Sequence, residues 1–193
     1  CANGALCVLL LLKSKGYHFS NSIFLAGDGD HYIKDTEEQL SIKMKEPSYK
    51  TDDVNIQGYI GAHIDSGAKH FVTYCTLRDN QQLFTLAQAI RFDSYFSPDG
   101  LNVNFLIVKN PHHIDVVTYE KGIEKIMLSC GSGSVAAAFY ASKKENIQSP
   151  LKISNQGGDM NLIFNDTWDD VWLTSNPTIS FSSEFDLESI DFS

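Results

Sequence analysis

Two cysteines stand in matching contexts and have the chemistry of an acid/base pair. Cys1 opens the run Cys-Ala-Asn-Gly-Ala-Leu, Cys130 opens the run Cys-Gly-Ser-Gly-Ser-Val, and lysines follow the apolar stretch that comes next in each case. Each run predicts a short, buried helix that starts at or just after its cysteine, with Gly16 capping the end of the first helix. A thiol at a helix N-terminus lies near the positive end of the helix dipole, which favours the thiolate and lowers the thiol pKa.

Two such helix starts that face each other across a cleft could invert a carbon centre. The unpaired backbone N–H groups would hold the α-carboxylate of an amino acid, and the small residues after each cysteine would let it approach the backbone. One thiolate would remove the α-proton, and the opposite thiol would return a proton to the other face without a cofactor. The two other cysteines, Cys7 and Cys75, are interpreted as small buried hydrophobes.

The segments around the two helices have the pattern of short strands. Runs rich in β-branched and aromatic residues, or alternating in polarity, predict strands at 39–45, 59–64, 70–75, 101–108, 113–119, 151–154, 160–164, 171–174 and 178–181. A surface helix is predicted at 81–91. The predicted fold is therefore α/β (α+β), with two pseudo-symmetric domains, each a curved, mainly antiparallel sheet around a central helix.

The two cysteine runs also indicate a repeat whose first copy is shortened. A long strand-rich stretch precedes Cys130, whereas the sequence begins at Cys1. On this interpretation the first half of domain one is absent, and the chain divides into a partial N-terminal domain, a C-terminal domain and an acidic tail, at 1–58, 59–182 and 183–193. The alternative is that the two runs are similar by chance.

Charge and composition narrow the classes of partner. The sequence has 15 Lys and Arg against 24 Asp and Glu, a net charge of -9, which disfavours nucleic acid and anionic membrane surfaces. No apolar run reaches the roughly 18 residues that a membrane span needs. The four cysteines and six histidines show no zinc-ligand spacing, so no metal site is expected. Few cysteines in a chain with an ample core indicate free thiols in a reducing compartment such as the cytoplasm.

Several motifs in the right order resemble those of the diaminopimelate epimerase family. The family's Cys-Gly-Asn-Gly-x-Arg-Cys motif is similar to residues 1–7, and its Tyr-Glu-Arg-Gly-Val-Glu and Cys-Gly-Thr/Ser-Gly motifs are similar to residues 119–124 and 130–133. Its Asn-Val-Asn-Phe strand, its Gly-x-Pro-His segment, its Gly-Gly-Asp/Ser turn and its Leu-Thr-Gly-Pro segment resemble residues 102–105, 66–72, 157–159 and 173–177. The resemblance spans the chain from Cys1 to about Phe181.

This resemblance implies an active site between two domains, with Cys1 and Cys130 as the acid/base residues and His70 and Glu120 helping to set their protonation. It implies no cofactor, an amino-acid substrate, a possible homodimer, and a plastid stroma location if the source is a plant or alga. The residues that it implies as substrate contacts, with the last two holding the carboxylate through their backbone, are Ala2, Asn3, Asn102, Glu120, Lys121, Gly131 and Ser132.

Other interpretations of the site residues stay open. His70 could be a hydrogen-bonded core histidine, and Glu120 could be a solvated turn residue. Asn102 and Asn104 lie in an otherwise apolar run, so buried hydrogen-bonding roles are expected for them in either case.

Departures from the family motifs leave the substrate open. Ala2 replaces a glycine, Leu6 replaces an arginine, Ala68 replaces a frequent asparagine and Lys69 replaces a proline. Lys121 replaces the arginine that grips the far end of the substrate, which keeps the charge but loses the bidentate fork. The leading hypothesis is interconversion of LL- and meso-diaminopimelate, in lysine and peptidoglycan synthesis. The alternatives are a racemase of another amino acid on the same fold and an inactive fragment or paralogue.

Overall fold

The computed structural model describes residues 1–19, 22–26, 29–36, 39–77 and 79–184 of the 193. The helices in this part of the chain are α1 (Ala2–Ser14), α2 (Asn80–Arg91) and α3 (Gly131–Lys144). The strands are β1 (Ile23–Ala26), β2 (Gly29–Asp35), β3 (Leu40–Lys43), β4 (Ser48–Tyr49), β5 (Val54–Ile56), β6 (Tyr59–Asp65), β7 (Lys69–Tyr74), β8 (Asn102–Asn110), β9 (His113–Glu120), β10 (Lys125–Met127), β11 (Leu151–Asn155), β12 (Gly158–Phe164) and β13 (Val171–Ser175).

The strands form one large sheet in which most neighbours run antiparallel. The order is β1-β2-β3-β13-β12-β11-β9-β8-β7-β6-β4, with β10 paired to β9 and β5 paired to β6. The pairs β7/β8 and β9/β11 are parallel, and the other pairs are antiparallel. The predicted mixed α/β class with a mainly antiparallel sheet is confirmed.

Helix α3 is the central helix of the sheet. It packs against β6, β7, β8 and β9, and Ala136, Ala137, Ala138 and Ala141 have no exposed surface. Small side chains let the helix approach the strands closely, so the alanine run explains why α3 can pack directly on the sheet. The predicted burial of this helix is confirmed.

Helix α2 covers the opposite face of the same strands. Leu83, Ala87 and Ile90 recur at helical spacing and are buried in a second core that includes Val103 and Phe105 of β8. The prediction of a helix at 81–91 is confirmed to within one residue. Together α2 and α3 bury both faces of β8 and β9, and this fixes the strand ends on which the candidate site residues lie.

Helix α1 ends as the sequence predicts but is less buried than predicted. Gly16 has φ +89, and the N–H groups of Gly16 and Tyr17 bond the carbonyls of Lys13 and Leu12, which is the Schellman arrangement of a helix end. In α1 the fully buried side chains are Leu6 and Leu9.

The prediction of a buried first helix is therefore wrong. Helix α1 contacts β3 and α3 on one side, while Val8 and Leu11 are exposed. For the same reason Cys7 is exposed, and its interpretation as a buried hydrophobe is wrong. Cys75 is buried, as expected.

The predicted strands are confirmed except the last. Residues 176–184 contain no strand, and Phe181 is 82% exposed. Strand β13 already pairs with β12 on one side and β3 on the other, so no edge beside it is left for a following strand. Strands β1, β2, β4, β5 and β10 were not predicted, because the sequence shows no strong alternation of polar and apolar residues there.

The division into 1–58, 59–182 and 183–193 stays a prediction. Strands β4 and β5 precede residue 59 but pair with β6, and residues 185–193 of the predicted tail lie outside the described residues. Among the helices of the described residues, none is both long and apolar enough to cross a membrane.

Candidate active site

The N-termini of α1 and α3 meet, and a cysteine precedes each of them. Cys1 is the N-cap of α1 and Cys130 is the N-cap of α3. A Cβ atom added to Gly131 would lie 2.7 Å from Cβ of Ala2 and 3.0 Å from Cδ2 of Leu173. The two helix starts are therefore in direct contact, and this contact requires a residue without a side chain at Gly131.

The two caps differ in geometry. The Sγ atom of Cys130 accepts a hydrogen bond from the N–H of Gly133 at 3.4 Å, and the Cys130 backbone is extended. Cys1 is exposed, and its side chain makes no capping hydrogen bond within the described residues. The first backbone N–H groups of both helices lack intrahelical acceptors, so both helix starts can bind an anion such as a carboxylate.

The pKa of the Cys130 thiol is raised, contrary to the expectation from its helix start. Burial is the largest cause, and the negative charge of Glu120 raises the pKa further. The N–H of Gly133 and the hydroxyl of Ser132 act in the opposite direction, but burial outweighs them. The prediction of a lowered pKa is therefore wrong for Cys130, whose raised pKa favours the neutral thiol.

His70 lies in a hydrogen-bond network that reaches Cys130 through Ser132. Its Nδ1 atom lies 2.8 Å from Oδ1 of Asn104, whose Nδ2 donates to Oγ1 of Thr118 at 2.7 Å. Its Nε2 atom lies 3.0 Å from Oγ of Ser132. Burial is the largest cause that lowers the pKa of His70, to about 4, so the imidazole is neutral near pH 7.

Asn102 joins the ends of the strands that carry the other predicted site residues. Its Nδ2 donates to the carbonyl of Lys69 at 3.2 Å, and its Oδ1 accepts from the N–H of Lys121 at 2.9 Å. Asn102 also stands opposite His70 in the parallel register of β7 and β8. The carboxylate of Glu120, at the end of β9, is close enough to act electrostatically on Cys130.

The structure thus brings most of the predicted site residues into one region. Ala2 and Gly131 touch, Ser132 contacts His70 and Cys130, and Asn102 holds Lys121. Asn3 lies in the first turn of α1. The substrate and catalytic roles of these residues stay predictions.

Two residues that contribute to this region, Ser66 and Thr118, were not predicted as part of it. Ser66 is buried, and its hydroxyl donates to the carbonyl of Ser132 at 2.7 Å. Thr118 anchors Asn104, and a Cβ atom at Gly133 would contact Nδ2 of Asn104. A glycine after the cysteine predicts a close approach of another group, and at Gly133 that group is the Asn104 side chain, whereas a single serine or threonine carries no such signal.

Comparison with protein families gives a match over most of the chain. The family model described as diaminopimelate epimerase matches residues 62–176. The chain is 29% identical to a diaminopimelate epimerase of Chlorobaculum tepidum over 90% of this chain and 69% of that protein. It is 28% identical to a diaminopimelate epimerase of Aquifex aeolicus over 100% of this chain and 71% of that protein.

Solved structures share the fold. A probable proline racemase from Agrobacterium radiobacter K84, with bound carbonate, superposes with a TM-score of 0.67 at 14% identity. The superposition covers 97% of this chain and 68% of that one. At this identity the likeness concerns the fold alone.

Proposed function

The chain belongs to the diaminopimelate epimerase family, and we propose that it catalyses proton transfer at the α-carbon of diaminopimelate, interconverting the LL and meso forms. The observation that carries the proposal is the contact between two helix starts that each follow a cysteine, with Ala2 against Gly131. Two thiols beside two anion-binding helix ends provide an acid, a base and a carboxylate site in one place.

In the proposed reaction the backbone N–H groups after Cys1 and Cys130 bind the α-carboxylate. Cys130 is the acid in the direction that starts from the structure described here, because burial keeps its thiol protonated. Cys1 then acts as the base on the opposite face of the α-carbon. Charge that develops on the carboxylate is stabilised by the helix ends, which need no reorganisation during the reaction.

The remaining predicted residues have supporting roles in this proposal. In this proposal Glu120 raises the pKa of Cys130 through its negative charge, and the neutral imidazole of His70 acts on Cys130 through the Ser132 hydroxyl. Asn102 holds the Lys121 backbone, so that the exposed ammonium of Lys121 can meet the distal carboxylate of the substrate. Ala2, Asn3, Gly131 and Ser132 surround the proposed carboxylate site.

A racemase of a different amino acid is the second candidate. Lys121 is a point charge where the family motif has an arginine fork, and Lys69, in place of the motif proline, pairs with Asp99 at 3.2 Å. Both changes fall where the distal end of diaminopimelate would be recognised. An inactive paralogue or fragment is the third candidate, because the matched relatives extend beyond the aligned region.

The cellular setting follows from the proposed reaction. The product would serve lysine and peptidoglycan synthesis in the cytoplasm of a bacterium or in a plastid stroma. The proposed partner is a small amino acid, and a homodimer is compatible with the proposal.

The test is α-proton exchange with solvent. Reduced protein is incubated in D₂O with LL-diaminopimelate and then with a panel of L-amino acids that includes proline, and loss of the α-proton signal is followed by NMR. Cys1→Ala and Cys130→Ala are expected to abolish exchange, whereas Cys7→Ala, at an exposed position outside the site, is the matched control and is expected to retain it.

Each outcome separates the candidates. Exchange with diaminopimelate that needs both thiols supports the first, and exchange with another amino acid alone supports the second. No exchange with any substrate, from folded and reduced protein, contradicts both. The full-length coding sequence is expressed and assayed in parallel, because the aligned relatives extend beyond the matched region.

A further inference from the structure

A buried cation lies between the two chain segments that carry Asn102 and Lys121. Arg91, the last residue of α2, has only 9% of its surface exposed. A Cβ atom added to Gly100 would overlap with Nη1 of Arg91, so the guanidinium packs directly against the turn that precedes Asn102. Nη2 of the same guanidinium lies 3.2 Å from Oε1 of Glu124. The guanidinium therefore bridges two segments that are distant from each other in the sequence.

The turn that follows β9 is built around Glu124. Oε1 of Glu124 accepts a hydrogen bond from the N–H of Gly122 at 2.9 Å, and its own N–H donates to the carbonyl of Glu120 at 2.8 Å. Glu124 has φ +55, a left-handed conformation that is uncommon outside glycine and that persists where surrounding contacts hold it. The carboxylate that pairs with Arg91 thus also holds the turn in which Lys121 lies.

The two segments meet at a single backbone hydrogen bond next to the proposed substrate contacts. The N–H of Lys121 donates to Oδ1 of Asn102 at 2.9 Å, and Asn102 lies two residues after Gly100. Lys121 itself is exposed. Because an exposed lysine side chain has many rotamers, the direction of its ammonium depends on where the turn places its backbone.

We propose that Arg91 is a positioning residue for Lys121. Its guanidinium holds the Gly100 turn and the Glu124 turn in a fixed relation, which aims the Lys121 ammonium at the far end of the substrate. The inference rests on the proposed function for the role of Lys121, and extends it to a residue that does not touch the substrate. A guanidinium suits this place because its planar fork packs on the backbone at one edge and pairs with a carboxylate at another.

The first test measures amide exchange with water at Lys121 and Gly122 by NMR, without substrate. Arg91→Met keeps an apolar stem but removes the charge and the fork. It is expected to speed the exchange of both amides by about tenfold, because loss of the cation leaves the Glu124 carboxylate without its partner. Arg91→Lys restores the charge without the fork and is expected to give a smaller increase. Unchanged exchange at both amides in Arg91→Met overturns the proposal.

Lys109→Met is the matched control. Lys109 pairs with Asp115 at 3.1 Å near the other end of β8 and β9, so this variant also removes the cation of an ion pair on the same two strands. It is expected to leave amide exchange at Lys121 and Gly122 unchanged. An increase as large as that in Arg91→Met would show a general loosening of the strands and would overturn the positioning role.

A double-mutant cycle tests whether Arg91 acts through Glu124. Glu124→Gln keeps an oxygen that can accept from the Gly122 N–H but removes the negative charge. It is expected to speed amide exchange as Arg91→Met does, and the double variant is expected to exchange no faster than either single variant. Additive effects overturn the proposal. If Arg91→Met does not fold, Glu124→Gln decides, since unchanged exchange at Lys121 then overturns it.

The second test separates binding from turnover. In α-proton exchange of LL-diaminopimelate, Arg91→Met is expected to raise KM by about tenfold with a small change in kcat, because the Lys121 contact is made equally before and during the reaction. In a Lys121→Met background, Arg91→Met is expected to leave KM unchanged. An equal rise of KM in both backgrounds shows that Arg91 does not act through Lys121, and overturns the proposal.

The two tests distinguish failure of the inference from failure of the proposed reaction. Faster amide exchange in Arg91→Met, in a protein that does not turn over diaminopimelate, supports the role of Arg91 in holding the turn and contradicts only the proposed reaction. Turnover of diaminopimelate together with unchanged amide exchange in Arg91→Met contradicts only the role of Arg91.

Discussion

Replacing Gly133 by alanine is expected to destabilise the protein, although alanine is the better helix former. The added Cβ would contact Nδ2 of Asn104 and lie 2.9 Å from Oγ1 of Thr118. Asn104 has no exposed surface, and its amide is bonded to Thr118 at 2.7 Å and to His70 at 2.8 Å. The methyl group therefore cannot be accommodated without breaking at least one of these bonds.

The expected loss is about 2 kcal/mol of unfolding free energy. A buried hydrogen bond that is broken, with its polar groups left unpaired, costs about 1–3 kcal/mol. Overpacking adds about 1 kcal/mol, and the higher helix propensity of alanine offsets about 1 kcal/mol. In an Asn104→Ala background the obstructing amide is gone, so Gly133→Ala is expected to be neutral or to stabilise by up to about 1 kcal/mol.

The assay is urea denaturation of the wild type, both single variants and the double variant. Fluorescence of Trp168 and Trp172, both buried, reports unfolding. The expected interaction energy between the two positions is about 2–3 kcal/mol. If Gly133→Ala is as stable as the wild type, or has the same effect in both backgrounds, the packing argument is wrong.

Two further predictions concern the same region. Gly131→Ala is expected to lower the free energy of unfolding by about 1–3 kcal/mol, because its Cβ would lie 2.7 Å from that of Ala2. Urea denaturation of the Gly131→Ala variant with and without Ala2→Gly tests this, and the contact is contradicted if Ala2→Gly restores no part of the stability. Burial lowers the pKa of His70 from 6.5 to about 4, so as the pH falls the unfolded chain takes up the His70 proton before the folded protein does. The free energy of unfolding is therefore expected to fall by about 3 kcal/mol between pH 6.5 and about pH 4. Urea titrations at several pH values between 6.5 and about 4 give the slope of the unfolding free energy against pH. His70→Gln should remove the part of this slope due to His70 and leave the part due to His63, whose pKa is also lowered. A slope that His70→Gln leaves unchanged would argue against a buried neutral His70.

The family resemblance could be found from sequence because its motifs are local and ordered along the chain. Runs at 119–124 and 130–133 lie within the region that the family model matches, 62–176, and the resemblance is confirmed. The prediction that the chain is an epimerase, an isomerase, is confirmed at the level of the family. The motifs do not identify the substrate, because substrate recognition depends on a few side chains at positions such as Lys121.

The spacing of apolar residues in the sequence predicted the helices and strands that are buried on one face or on both faces. Helix α2 and strands β6 to β9 show apolar spacing that matches their packing on one another. The apolar run of α1 has the composition of a buried helix, yet one side of it faces away from β3 and α3. Burial of a helix depends on what lies around it, and no property of residues 2–14 alone reports that.

The pKa of Cys130 also depends on tertiary packing that the local sequence does not report. A helix start predicts a lowered thiol pKa at Cys130, and the Gly133 N–H does act in that direction. Burial has the opposite effect and is larger, but it depends on tertiary packing around α3. Asn104, in contrast, was identified as a buried hydrogen-bonding residue because an amide within an apolar strand must find partners.

Each residue of the Cys-Gly-Ser-Gly run at 130–133 contacts a different neighbour. Cys130 caps α3 with its sulfur, and Ser132 contacts His70 through its hydroxyl. Gly133 leaves the space that the Asn104 amide fills. The second glycine of the run is therefore a requirement of the network that orients the imidazole, and not only of helix packing.

The first glycine of this run, Gly131, is in contact with Ala2, where the chain departs from the family motif. The family motif has a glycine after the first cysteine, where this chain has Ala2. The Cβ of Ala2 lies where a side chain on Gly131 would project, so a methyl group fits at one of the two positions but not at both. Ala2 is thus compatible with the contact between the helix starts as long as Gly131 is retained. The two positions are coupled across the site, and a substitution at one of them changes which residues the other can carry.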